Sequence, residues 1–131
     1  MAQYEAKISW RRNDADFLAN KYSRAHLWQF DGGTTVAASS SAHIVPLPWS
    51  VAENVDPEEA FVASLSSCHM LFFLNIACTA GFTIESYTDN AAGILASNQQ
   101  GKMAITQVPL KPQALFSGDQ QPSPDQIREM H

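Results

Sequence analysis

Cations are scarce and unevenly spread in this chain of 131 residues. Eight Lys and Arg stand against thirteen Asp and Glu, a formal net charge of −5, and no Lys or Arg lies between Ala25 and Gly101. That balance argues against a nucleic-acid partner, because phosphate binding needs a basic surface. Cysteine is scarcer still: Cys68 and Cys78 are the only two. The N-terminal stretch MAQYEAKISWRRNDADF has no apolar run of signal-peptide length, and its charges are interspersed. The expectation is a cytoplasmic protein with two free thiols rather than a structural bridge. Paired metal-ligand spacing is also missing, since His26, His43, His69 and His131 do not combine with the cysteines as zinc sites require. Phosphate loops and Ser-His-Asp signatures are absent, and Gly32-Gly33 is only a turn. Neither metal nor cofactor is expected.

What is present reads as one domain over residues 1–131, large enough to bury a core but with little to spare. Hydrophobic content of 45% and seven phenylalanines argue for a globular chain. Tyr4 to Arg11 suits a half-buried strand, with Tyr4, Ala6, Ile8 and Trp10 on one face. Residues 13–22 (NDADFLANKY) are polar and turn-rich, a long loop or a short helical turn. Arg24 to Phe30 and Thr34 to Ala38 are two further strands around Asp31-Gly32-Gly33, a turn that accepts positive φ. Residues 39–55, with Pro46, Pro48 and Trp49, read as a loop carrying apolar side chains.

Asp56-Pro57-Glu58-Glu59 starts a helix: Asp caps, Pro suits the first helical position, and carboxylates favour the positive end of the dipole. The helix is expected to run through Ala80 and stop at Gly81. Ala60 to Ile84 carries no charge, long enough to span a bilayer, yet Ser64, Ser66, Ser67, His69, Asn75 and Thr79 interrupt it. A protein-buried helix is the better reading, and a domain this small needs a partner subunit to cover it. Beyond it, Phe82 to Asp89 and Gly93 to Ala96 read as a strand or a bulged strand. SNQQGK turns, and Met103 to Phe116 returns, irregular or exposed on one edge because Pro109 and Pro112 lack ladder donors. Ser123-Pro124-Asp125-Gln126 begins a last helix with a capping box. A helix so begun ordinarily runs longer than IREMH, so the fold is expected to continue past His131.

Cys68 and Cys78 share one helix, ten residues or about 15 Å of rise apart, which excludes a disulfide between them. A reactive Cys68 needs its thiolate stabilised, whereas burial among Leu71, Phe72 and Phe73 works against the charge. The cation must come from elsewhere, and Arg24 is the most plausible supplier. His69 is adjacent, but neighbouring helical side chains diverge by about 100°. Glu58 is well placed in sequence to orient an arginine, although the first-turn dipole also explains it.

The segment DPEEAFVASLSSCHMLFFL, followed by GFTIESYTDNAAGIL and AITQVPLKP, resembles the OsmC/Ohr family of osmotically inducible and organic-hydroperoxide-resistance proteins. The similarity is closest to its OsmC-like branch, good from Asp56 to Pro112 and weak before Arg24. It implies an α+β fold, antiparallel sheets packed on a long central helix, in an intertwined homodimer with active sites between subunits. It also implies a thiol-dependent peroxidase that reduces organic hydroperoxides with a thiol reductant. Cys68 matches the peroxidatic cysteine and Glu58 the glutamate that holds the catalytic arginine, for which Arg24 is the choice here. The substrate pocket is expected at Trp49, Phe72 and His69. The family's resolving cysteine lies in a later helix, beyond the point matching His131, and Cys78 does not occupy that position. Either the protein continues, or an external thiol resolves Cys68, or peroxidase turnover is lost. Two rivals stand beside this reading: a non-catalytic dimer binding a hydrophobic ligand near Trp49, Pro46 and Phe72, and a redox sensor in which Cys68 oxidises once.

Overall fold

The computed structural model describes residues 2–131. The chain divides into two compact units, one ending at Ala60 and the other beginning at Phe61.

The first unit is an antiparallel meander of β1 (Ala6–Ser9), β2 (His26–Phe30) and β3 (Thr35–Ala38), in that order. Ile8 pairs with Trp28, and Trp28 with Val36, so large apolar residues line up across the three strands. The β2–β3 turn is Asp31-Gly32-Gly33, and Gly33 takes φ 102°, a conformation that side chains with a Cβ resist. Residues 13–22 fold back on themselves through a bridge between Asp16 and Lys21. Asn13, Asp14 and Asn20 adopt left-handed φ there, and their short polar side chains are among those that tolerate it.

Residues 39–55 form the expected loop, and its apolar side chains are not what it buries. Its buried residues are polar: Ser39 and Ser50, with Ala38 beside them, while Ile44 and Leu47 face water. The Ser39 hydroxyl accepts from Val51 N–H (2.9 Å), the Ser50 hydroxyl donates to the Val45 carbonyl (2.7 Å), and Asn54 donates to the Ala38 carbonyl (3.1 Å). Hydrogen bonds rather than apolar side chains hold this loop, because a buried backbone must find partners for its polar groups.

Helix α1 (Pro57–Ala80) has the expected limits. Asp56 Oδ1 accepts from Glu59 N–H (2.8 Å) while Glu59 Oε1 accepts from Asp56 N–H (2.9 Å), a reciprocal cap. Gly81 ends the helix at φ 87°. By length and composition alone α1 is apolar enough to cross a membrane. In the second unit, however, it packs Phe73 and Ala77 against Phe82, Ile84, Tyr87, Ala114 and Phe116.

Those residues belong to β4 (Thr83–Asp89) and β7 (Pro112–Ser117), which pair antiparallel with a bulge between Ile84 and Ser86. β5 (Ile94–Ser97) pairs with β6 (Met103–Gln107) in a separate ladder. The expected continuous return from Met103 to Phe116 is therefore two strands in two sheets. Pro109 falls in the break, where a residue without an N–H is harmless. Asp89 ties three elements: Oδ2 accepts from the Ser66 hydroxyl on α1 (2.5 Å) and Oδ1 from Lys111 N–H (2.7 Å) just before β7. Helix α2 (Pro124–Met130) carries the Ser123–Gln126 capping box and buries Met130 with Phe73 and Ala77. The class is α+β.

Candidate functional site

Cys68 and Cys78 are both free, and both are exposed. The expectation that Leu71, Phe72 and Phe73 surround the thiol is corrected. Only Phe73 is buried; Leu71 and Phe72 are 60% and 66% exposed. The reason is helical geometry, since successive residues turn by about 100° and three in a row cannot share one environment. Phe72, four residues on, lies on the face of Cys68. With Phe61, Leu65 and Ile76 they form a stripe at spacings of four, three, four and four, all exposed. It is turned by roughly 110° from the stripe that carries Phe73 and Ala77.

His69 borders the buried stripe. Its Nε2 lies 2.8 Å from His131 Nδ1, and the rings are nearly parallel at 10°. The His131 ring also stacks on Phe73 at 4.2 Å. Partial burial, and then the neighbouring His69, lower the His131 pKa from its ordinary 6.5.

The two first-turn glutamates of α1 have separate roles. Glu59 completes the cap, whereas Glu58 Oε2 is buried without a hydrogen-bond partner. Arg24, just before β2, is half-buried. It donates to the Tyr22 carbonyl (2.6 Å) and to Asn20 Oδ1 (2.7 Å), with its guanidinium 3.6 Å above the Tyr22 ring. It makes no ion pair with Glu58; among the described residues the ion pair present joins Arg128 to Asp125 on α2. Trp49 sits in the 39–55 loop, where its carbonyl accepts from Arg24 N–H (2.8 Å).

Sequence reasoning missed the cavity of the first unit, about 420 Å³, lined by Ile8 and Trp10 of the first strand segment, Phe17 and Tyr22 of the folded-back loop, Arg24, and His26 of β2. Ser40 and Pro57 complete its rim. Trp10 lies 5.9 Å from Phe17 and 5.5 Å from Tyr22, and Phe17 stacks on Tyr22 at 4.7 Å. The density of Asn and Asp in residues 13–20 was the available signal, because those residues permit the left-handed turns that bring the rings together. Among the described residues no group of three or more His, Cys, Asp or Glu is placed to hold a metal ion.

Neither a protein-family model nor a curated protein matches the chain. Solved structures do. An OsmC-like protein of unknown function from Vibrio cholerae O1 biovar eltor is 54% identical, with a TM-score of 0.96 over 99% of this chain and 85% of that one. An OsmC-like protein from Mycoplasma pneumoniae shares the fold at 14% identity, with a TM-score of 0.68 over 98% of this chain and 77% of that one.

Proposed function

The chain belongs to the OsmC-like family, and on that premise we propose that it is a thiol-dependent peroxidase reducing organic hydroperoxides through Cys68. The observation that carries this reading is the position of Cys68. It is a free, exposed thiol at the centre of an apolar stripe that nothing in its own unit covers. An apolar peroxide and a second protein surface both suit such a stripe.

In the proposed reaction the Cys68 thiolate attacks the distal oxygen of the hydroperoxide. The O–O bond breaks, sulfur is oxidised to the sulfenic acid, and the alkoxide leaves as an alcohol after taking a proton. A small-molecule thiol then attacks the sulfenic sulfur, releasing water and forming a mixed disulfide, and a second thiol equivalent restores Cys68. An external reductant is invoked because Cys78, ten residues along the same helix, is out of disulfide range.

Arg24 is the proposed cation and Glu58 its orienting carboxylate. The buried, unpartnered Glu58 oxygen supports this, since a lone carboxylate oxygen out of water calls for a donor. Arg24 must leave Asn20 and Tyr22 to supply it. The proposed assembly is a homodimer in which a second copy covers the stripe of Cys68 and Phe72. Light scattering is expected to give two chains for the wild type and one for Phe72→Asp. A cytoplasmic location and a role in oxidative and osmotic stress defence accompany the reading, as the thiol reductant needs a reducing compartment.

The test is intact-mass spectrometry after one equivalent of cumene hydroperoxide, followed by turnover with an excess of dithiol. Wild type and Cys78→Ser are expected to gain one oxygen and to consume peroxide, and Cys68→Ser to do neither. Equal consumption by Cys68→Ser would sink the proposal.

A further inference from the structure

The cavity of the first unit shares Arg24 with the proposed thiol chemistry, yet with Arg24 held by Asn20 and Tyr22 it is built like a ligand site in its own right. Its size falls within the range of small-molecule pockets. Three of its walls, Trp10, Phe17 and Tyr22, are aromatic and packed on one another. Trp10 and Phe17 nevertheless remain 40% and 45% exposed, apolar surface that an occupant would take out of water. The Trp10 indole N–H is already satisfied by the Ser23 carbonyl (2.9 Å), so the ring offers its apolar surface.

Polar chemistry at the cavity is sparse and of one sign. His26 contributes no charge: its Nε2 accepts from Trp28 Nε1–H (3.0 Å), which leaves Nδ1–H to donate to the Arg24 carbonyl (2.7 Å) and defines a neutral ring. Arg24 is therefore the cation of the lining, and no carboxylate lines it. Its two acceptors, a carbonyl and an amide oxygen, are neutral, and a guanidinium has five N–H donors. Among the described residues no ion pair engages it, and part of its donor fork is free. Ser40, on the same rim, has a buried hydroxyl oxygen without a hydrogen-bond partner.

We propose that this cavity binds a flat aromatic monocarboxylate, its ring among Trp10, Phe17 and Tyr22 and its carboxylate on Arg24. Aromatic walls favour a planar ring by offset or edge contacts. A planar guanidinium matches a carboxylate by a paired fork. A single cation suits a monoanion, and a phosphate dianion would keep excess charge beside apolar walls. The site is formed by residues up to Pro57 and goes beyond the peroxidase reading: it holds whether or not Cys68 turns over peroxide.

The test is calorimetric titration of the 131-residue chain, wild type and Cys68→Ser, with 1-naphthaleneacetate and with its neutral isostere 1-naphthaleneacetamide. The acid is expected to bind about tenfold tighter than the amide in both proteins, the scale of a charge-assisted pair. Arg24→Met is expected to abolish that preference and leave amide binding intact, while Arg24→Lys keeps part of it as a point charge without the fork. Phe17→Ala, at an exposed wall, is expected to weaken both ligands severalfold without unfolding the chain. Equal affinity for acid and amide overturns the proposal, as does a preference that survives Arg24→Met. Absence of binding by either compound at millimolar concentration overturns it too.

Discussion

His131 Nδ1 lies 2.8 Å from His69 Nε2, and one proton must serve the pair, because two imidazolium rings have no acceptor between them. The bond joins the end of α2 to α1 next to Cys68. Burial and the neighbouring His69 lower the His131 pKa from 6.5, so the unfolded chain holds that proton more tightly than the folded one. The contribution to stability is complete above 6.5 and is lost as pH falls through 6.5 towards the lowered value. Melting temperature is expected to decline, and the protection factors of α2 amides to fall, as pH drops below 6.5. His131→Gln is expected to shrink the decline; an unchanged profile would refute the assignment.

Phe73 is fully buried and packs on Tyr87 at 5.7 Å, Phe116 at 6.3 Å and His131 at 4.2 Å. Phe73→Ala is expected to cost about 3–5 kcal/mol in denaturant unfolding, from lost transfer energy plus the cavity left behind. A loss below about 1 kcal/mol would mean that the ring is not embedded as described.

Gly93 meets α1 closely. A Cβ added there would lie 2.5 Å from Val62 Cγ2, and a β-branched side chain on a helix has little rotamer freedom to retreat. Gly93→Ala is expected to destabilise by about 1–3 kcal/mol, the usual cost of overpacking. Val62→Ala in the same chain should recover most of that loss. Additive losses in the double mutant would place the strain elsewhere.

Tyr87 presents a buried hydroxyl with no hydrogen-bond partner, and burial followed by Asp89 raises its pKa above the ordinary 10.0. Tyr87→Phe keeps the ring against Phe73 and removes the unsatisfied oxygen. Unfolding free energy is expected to stay level or rise by up to about 1 kcal/mol. A clear loss would reveal a partner for the hydroxyl.

The local grammar of the chain was legible wherever a signal and its effect sit within a few residues. Asp56, Pro57 and Gly81 bound α1 in the sequence as in the structure, and Ser123 with Gln126 caps α2. Both depend on caps and on backbone conformations that neighbouring residues dictate. The family was legible too, because the segment from Asp56 to Cys68 carries a fixed spacing of chemically distinctive residues.

Long-range pairing was not legible. Nothing local tells β4 to pair with β7 rather than β5, since both strands offer similar apolar residues, and the choice depends on what closes over Phe73 and Ala77. Nor did the helix dipole separate Glu58 from Glu59, although the family resemblance pointed to Glu58. Two adjacent carboxylates have equal claims on a helix dipole, and only the cap geometry assigns one to Asp56 and leaves the other buried and unpartnered. The same holds for Cys68. Its identity, its helix and its distance from Cys78 followed from the sequence alone. Its exposure on an apolar stripe, rather than burial among phenylalanines, was decided by which face of α1 the β4–β7 ladder covers, and that is a property of tertiary packing.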